Sequence, residues 1–102
     1  MNINEIIAQE LDVKVSQIEK TVELIDQGNT IPFIARYRKE VTGNLSDEQL
    51  RDLGSRLTYL RNLEERKQEV IDSITNQEKM TPEIMAALEK AQTQVEVEDI
   101  WV

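Results

Sequence analysis

The chain contains neither cysteine nor histidine. Those two absences exclude disulfides, thiolate nucleophiles, Cys/His zinc sites and a histidine-based proton relay. Proline occurs twice and glycine three times, too few for a loop-rich or low-complexity chain. There is no run of about 18 apolar residues that could cross a membrane. The opening NINEIIAQEL is a polar, weakly amphipathic start in place of a basic-then-apolar leader. Together these features predict a cytoplasmic protein with no membrane partner, no metal and no cofactor.

What is present is the composition of a helical domain. The 102 residues are 39% hydrophobic and 31% charged, with abundant Leu, Ile, Glu, Gln and Lys. At this length a single modest core is the limit. The formal net charge is -8, but it is unevenly spread. Residues 1 to 29 carry six acids against two bases, residues 30 to 67 carry eight bases against six acids, and residues 68 to 102 carry eight acids against two bases. Basic character is confined to the middle.

The spacing of apolar residues predicts an all-α bundle of five helices with one long central helix. The first covers about Glu5 to Leu11, capped by Asn2 or Asn4. The second covers about Ser16 to Gln27, with Ile18, Val22 and Ile25 three and four apart and Gly28-Asn29 as a left-handed stop. Thr30 caps the third, Pro32 sits in its first turn, and it runs to about Glu40 before Gly43-Asn44. Ser46 and Gln49 form a capping box for the fourth, which continues without proline to about Ile74. Thr81-Pro82 starts a fifth, ending near Gln92. Only QVEVEDI, near the end, alternates like a strand.

On the fourth helix Leu50, Leu53, Leu57, Leu60, Leu63, Val70, Ile71 and Ile74 share one broad arc. The segment EERKQE interrupts that arc, placing Glu64 and Lys67 in it, so its middle is expected to be solvated or to meet something polar. Arg51, Arg56, Arg61 and Arg66 recur every five residues. Steps of about 140° scatter them around the axis, so they make no phosphate-facing row and are expected to pair with nearby carboxylates. Arg56 differs, because it projects into the apolar arc and needs a partner there.

The run GNTIPFIARYRKEVTG, continued by LSDEQLRDLGSRLTYLRNLEERKQEVIDSI, closely resembles the N-terminal region of the Tex family of bacterial transcription accessory proteins. TPEIMAALEKAQTQVEVEDIWV fits the next segment of that family, with Trp101 and Val102 where aromatic and aliphatic residues are usual. The resemblance covers residues 1-102. It implies a helical region containing a helix-turn-helix-like element. It also implies an intact protein that adds an RNase H-like domain, helix-hairpin-helix motifs and an OB-fold RNA-binding domain, none of them encoded here. The implied partners are the remaining domains of the same chain, the transcription machinery, and RNA or DNA for the intact protein.

These residues support two functional readings. In the first, Arg36, Arg38 and Lys39 contact phosphates and Tyr37 stacks on a base. Against it, Arg36 and Lys39 lie on one helix face while Arg38 points about 200° away from Arg36, and the chain as a whole repels phosphate. In the second, the segment is a scaffold that docks on the rest of the protein or on a partner. Ile31, Phe33, Ile34, Ala35 and Tyr37 cover too wide an arc for one neighbour, so the third helix is expected to be sandwiched, with Arg56 and Trp101 as further packing points and the cations paired internally or with absent regions. Catalysis is not expected. The carboxylates Glu64, Glu65, Glu96, Glu98 and Asp99 lack acid/base or metal-site spacing, and Gly28, Gly43 and Gly54 stand alone, Gly54 as a close-packing point. Trp101, on an apolar ending, is expected to fold back on the chain or be covered by a second copy, which favours self-association.

Overall fold

The computed structural model describes residues 1–101; Val102, the last residue of the apolar ending, lies outside the described residues. Among the described residues there are seven helices and no strand. They are α1 (Ile3–Leu11), α2 (Val15–Asp26), α3 (Ile31–Tyr37), α4 (Lys39–Thr42), α5 (Asp47–Asn76), α6 (Pro82–Lys90) and α7 (Gln94–Ile100). The chain divides into two compact units. One is Asn2–Thr58; the other is Met1 with Tyr59 onward, and α5 contributes to both.

In the first unit α1 begins where the Asn2 side chain accepts from the Glu5 N–H at 3.1 Å, and it ends on Asp12 in the left-handed region. Its buried residues, Ile7 and Ala8, share the core with Ile18 and Val22 of α2, Ile34 of α3, and Leu45, Leu50, Leu53 and Leu57. Gln17 ties this unit together. Its side-chain carbonyl accepts from the Lys14 N–H at 3.0 Å, and its amide donates to the carbonyls of Thr42 at 3.0 Å and Gly43 at 3.1 Å. One amide therefore caps the start of α2 and satisfies free carbonyls at the end of α4.

The third helix is shorter than its sequence suggests. It stops at Tyr37, because Arg38 leaves helical geometry at φ -130 and ψ 31. The Arg38 N–H still donates to Ile34 at 3.0 Å, while its carbonyl accepts from Val41 and Thr42. One residue thus closes α3 and opens α4. No Gly or Pro marks the break; the new direction lets Thr42 become buried and places α4 against α2.

The long helix is continuous, with no turn at Gly54. Ser46 and Gln49 cap it reciprocally, at 3.1 Å and 2.9 Å. Its 30 residues span roughly 45 Å at 1.5 Å each. In the second unit it buries Leu60, Leu63, Lys67, Val70 and Ile74, alongside Leu88, Ala91 and Val97 from the later segments. QVEVEDI is a helix, α7, contrary to its alternating pattern. Thr93 accepts from the Glu96 N–H at 3.2 Å and so starts it. Thr93 and Glu96 make the Thr-x-x-Glu signature of a helix start, which outweighs two valines spaced two apart.

Lys67 follows the second of the two alternatives expected for its stretch of the arc, meeting something polar. It is only 6% exposed, while Glu64 in the same stretch stays exposed. Its ammonium donates to the Glu89 carbonyl at 3.3 Å, near the C-terminal end of α6. Burial pushes its pKa below 10.5, although Glu64, Glu96 and Glu89 pull the other way.

Candidate docking surface

The segment Ile31 to Lys39 presents three different surfaces. Successive residues of α3 turn about 100°, so Ile34 falls on one side, Phe33 and Tyr37 on a second, and Ile31, Pro32, Ala35 and Arg36 on a third. Ile34 is fully buried, which anchors α3 to the core. The Thr30 hydroxyl accepts from the Phe33 N–H at 3.3 Å, and Pro32 occupies the first turn, so the helix start is fixed.

Phe33 and Tyr37 stay outside, 36% and 53% exposed. Their ring centroids are 5.2 Å apart with a 46° tilt. Arg36 places its guanidinium 5.4 Å from the Tyr37 centroid, and Arg38 lies 5.2 Å from that of Phe33. Arg38 also donates to the Tyr37 carbonyl at 3.0 Å. Two aromatic rings thus carry one guanidinium each. Exposed contacts of this kind contribute about 0.5–1 kcal/mol apiece, enough to bias a long side chain into one place. The sandwich expected from sequence is not formed within this chain: one face of α3 is in the core and the aromatic face is open.

The third side lines a groove of about 540 Å³ between α3, α4 and the first turns of α5. Ile31, Pro32 and Ala35 supply apolar surface; Arg36, Lys39 and Arg51 supply positive charge, and Asp47 one negative charge. Arg36 and Lys39 do share a face, as their spacing predicts, even though the helix breaks between them. Among the described residues no carboxylate lies within ion-pair distance of Arg36, Arg38, Lys39 or Arg51. Of the two alternatives expected for the cations of residues 36–39, pairing within this chain or with absent regions, the first is not found among the described residues: Arg36 and Arg38 make ring contacts, and Lys39, like Arg51, is exposed. Nothing in the sequence marks Arg51 as part of this surface; a five-residue arginine period gives no sign of which one faces α3.

The other candidates are committed within the fold. Ile34 is a core residue and is not available to a partner. Ile31 is half-buried, with its terminal carbon near Gly54. Arg56 closes a two-pronged contact on Glu10 of α1, at 2.7 Å and 2.8 Å, so the partner its position demands comes from the same unit. Trp101 is half-buried and its backbone N–H donates to the Val97 carbonyl at 3.2 Å. Among the described residues the large apolar side chains that stand exposed are Met1, Phe33, Tyr37 and Val95, two of them on α3, and Trp101 is not among them. In the second unit Arg66 forks onto Glu98 at 2.7 Å and 3.1 Å and touches Glu69 at 3.2 Å. That contact raises the Arg66 pKa further and holds the Glu98 carboxyl below its usual 4.5.

The comparison that decides the family covers most of the chain: the family model of the Tex-like protein N-terminal domain matches residues 1–75. The chain belongs to the Tex-like N-terminal domain family. Transcriptional accessory protein Tex of Neisseria gonorrhoeae is 50% identical over 102 residues, which is 100% of this chain and 14% of that protein. Protein YhgF of Escherichia coli is 48% identical over 97 residues, 95% of this chain and 12% of its own length. S1 RNA-binding domain-containing protein 1 of Homo sapiens is 34% identical over 79 residues, 78% of this chain and 8% of that protein. This Tex-like domain thus spans a small fraction of the relatives it matches. No helix among its described residues is long and apolar enough to cross a membrane.

Proposed function

We propose that this Tex-like domain is a non-catalytic helical docking module within a longer, cytoplasmic transcription accessory protein that binds nucleic acid when whole. The single observation behind this reading is the Phe33–Tyr37 pair, held outside the core with Arg36 and Arg38 on its rings. Aromatic and arginine side chains are the residues that most often anchor protein interfaces, and here their apolar area and their charge are both left open. The occupant is the remainder of the longer chain or a protein of the transcription machinery. The name of the human relative, an S1 RNA-binding domain protein, supports nucleic-acid binding by such longer chains.

The test is a titration of this chain with a polypeptide carrying the rest of the gonococcal Tex protein, read by calorimetry. Phe33→Ala with Tyr37→Ala should weaken the complex by at least about tenfold. A complex that keeps its affinity, with helicity intact, sinks the reading.

Direct contact with RNA or DNA is a second reading, favoured by the open Tyr37 ring beside Arg36, Arg38 and Lys39, and a helix-turn-helix-like use of the α2 to α4 segment belongs to it. The net charge of -8 opposes it. Submicromolar RNA binding at about 150 mM salt, lost on Arg36→Ala with Lys39→Ala, would replace the docking reading with this one.

A further inference from the structure

The groove beside α3 has a composition that the aromatic face does not explain. The chain carries 20 acids, yet among the described residues none lies within ion-pair distance of Arg36, Lys39 or Arg51, three cations converging on one concave site. Exposed ion pairs contribute little, so water solvates these cations in the isolated domain, but a negatively charged occupant would meet three of them in one concave place. The apolar surface of Ile31, Pro32 and Ala35 adds a second requirement: the occupant brings an aliphatic or aromatic side chain along with its negative charge.

We infer that this groove receives an acidic protein segment in which carboxylates bracket an apolar side chain. Two observations favour a protein segment over a nucleic-acid strand. A phosphodiester backbone offers nothing apolar for Ile31, Pro32 and Ala35 to cover, whereas a leucine or valine between glutamates does. Asp47, on the same rim, can accept a hydrogen bond from a peptide N–H, a donor that a phosphodiester linkage lacks. Arginine forks match carboxylates in a two-pronged geometry, and Arg36 and Arg51 provide two of them. At about 540 Å³ the groove accommodates a few side chains, the scale of a small-ligand cleft, so the segment engaged is short. The relatives extend far beyond the region matched here, the gonococcal protein about sevenfold, and such a segment has ample room in a chain of that length. The inference rests on the docking reading but uses another face of α3, so the two fail separately.

The experiment uses fluorescence anisotropy with three labelled probes: a short capped peptide of repeating Glu-Glu-Leu, the same peptide with every Glu replaced by Gln, and a single-stranded RNA of similar length. The acidic peptide should bind at least about tenfold more tightly than the Gln peptide or the RNA. Lys39→Ala and Arg51→Ala should each weaken it about three- to tenfold, and Arg51→Glu should abolish it, all three with unchanged helicity since both side chains are exposed. Phe33→Ala should leave it unchanged. Equal binding of the acidic and Gln peptides, tighter binding of the RNA, no binding of the acidic peptide, or insensitivity to Lys39→Ala and Arg51→Ala would each overturn the inference. Loss on Phe33→Ala alone would overturn it too, by assigning the peptide to the aromatic face.

Discussion

Replacing Gly43 by alanine probes the joint between α2 and α4. Gly43 has φ 68 and ψ 36, the left-handed region, where a side chain costs about 1–2 kcal/mol. An added Cβ would also lie 2.7 Å from the Gln17 side-chain nitrogen, closer than such atoms approach, so that amide has to move. Moving it breaks the two hydrogen bonds to Thr42 and Gly43, each worth about 0.5–1.5 kcal/mol net. The expected loss is therefore about 2–5 kcal/mol, a large part of the about 5–15 kcal/mol typical of a domain. Urea unfolding followed by circular dichroism reads it directly. Gln17→Ala separates the two contributions, because it removes the hydrogen bonds and the obstruction together. In that background Gly43→Ala should cost only the backbone part, so the two substitutions together cost less than the sum of each alone, by about 1 kcal/mol or more. Strict additivity, within about 0.5 kcal/mol, would show that the amide and the glycine do not communicate and would refute the reasoning.

Gly54→Ala should act in the opposite direction. Its Cβ would stand 3.5 Å from the Ile31 terminal carbon, an ordinary contact, and a mid-helix Gly to Ala exchange stabilises by about 0.5–1 kcal/mol; destabilisation in the same urea assay would mean that Ile31 cannot accommodate the added methyl. Lys67, whose pKa is lowered by burial, binds fewer protons folded than unfolded over a window ending near 10.5. Wild-type stability relative to Lys67→Met should therefore rise as pH goes from about 7 toward 10.5, and a flat difference would remove the buried-ammonium argument. Glu98 has the reverse dependence: its lowered pKa stabilises above 4.5 and is lost as pH falls through the folded value. The advantage of wild type over Glu98→Gln should be present at neutral pH and shrink progressively as pH falls below 4.5, and an advantage absent at neutral pH or constant through the acid range would count against the Arg66 pairing.

Elements with local signals were legible in the sequence. The Thr30, Ser46 and Thr81 caps, the left-handed stops at Gly28 and Gly43, and the leucine stripe of α5 all depend on residues within a few positions of one another. Where the outcome depends on a distant partner, local reading falls short. The break at Arg38 follows from the fit of Thr42 into the core near α2, Arg56 takes Glu10 from 46 residues away, and Lys67 is buried because the Glu89 carbonyl accepts its charge. The α7 helix is a different kind of miss. Its capping signature was present, and a period-two pattern of two valines obscured it. Of the candidate surface, the face shared by Arg36 and Lys39 was legible as a periodicity, but the contribution of Arg51 and the open state of Phe33 and Tyr37 required coordinates.

The unbroken course of α5 also governs where this domain can change length. Thr58 and Tyr59 belong to different units, but they are neighbours in one helix. A single residue inserted between Leu63 and Val70, inside the second unit's share of α5, would turn every later side chain of the helix by about 100°. Val70 and Ile74 would then leave the buried face of that unit, and Glu69 and Ser73 would take their places. A loop would absorb the same insertion by bulging into solvent. Tolerance to insertion and deletion should therefore be concentrated in the short joints around residues 27–30, 43–46 and 77–81, while the 30 residues of α5 keep the register on which the core of each unit depends.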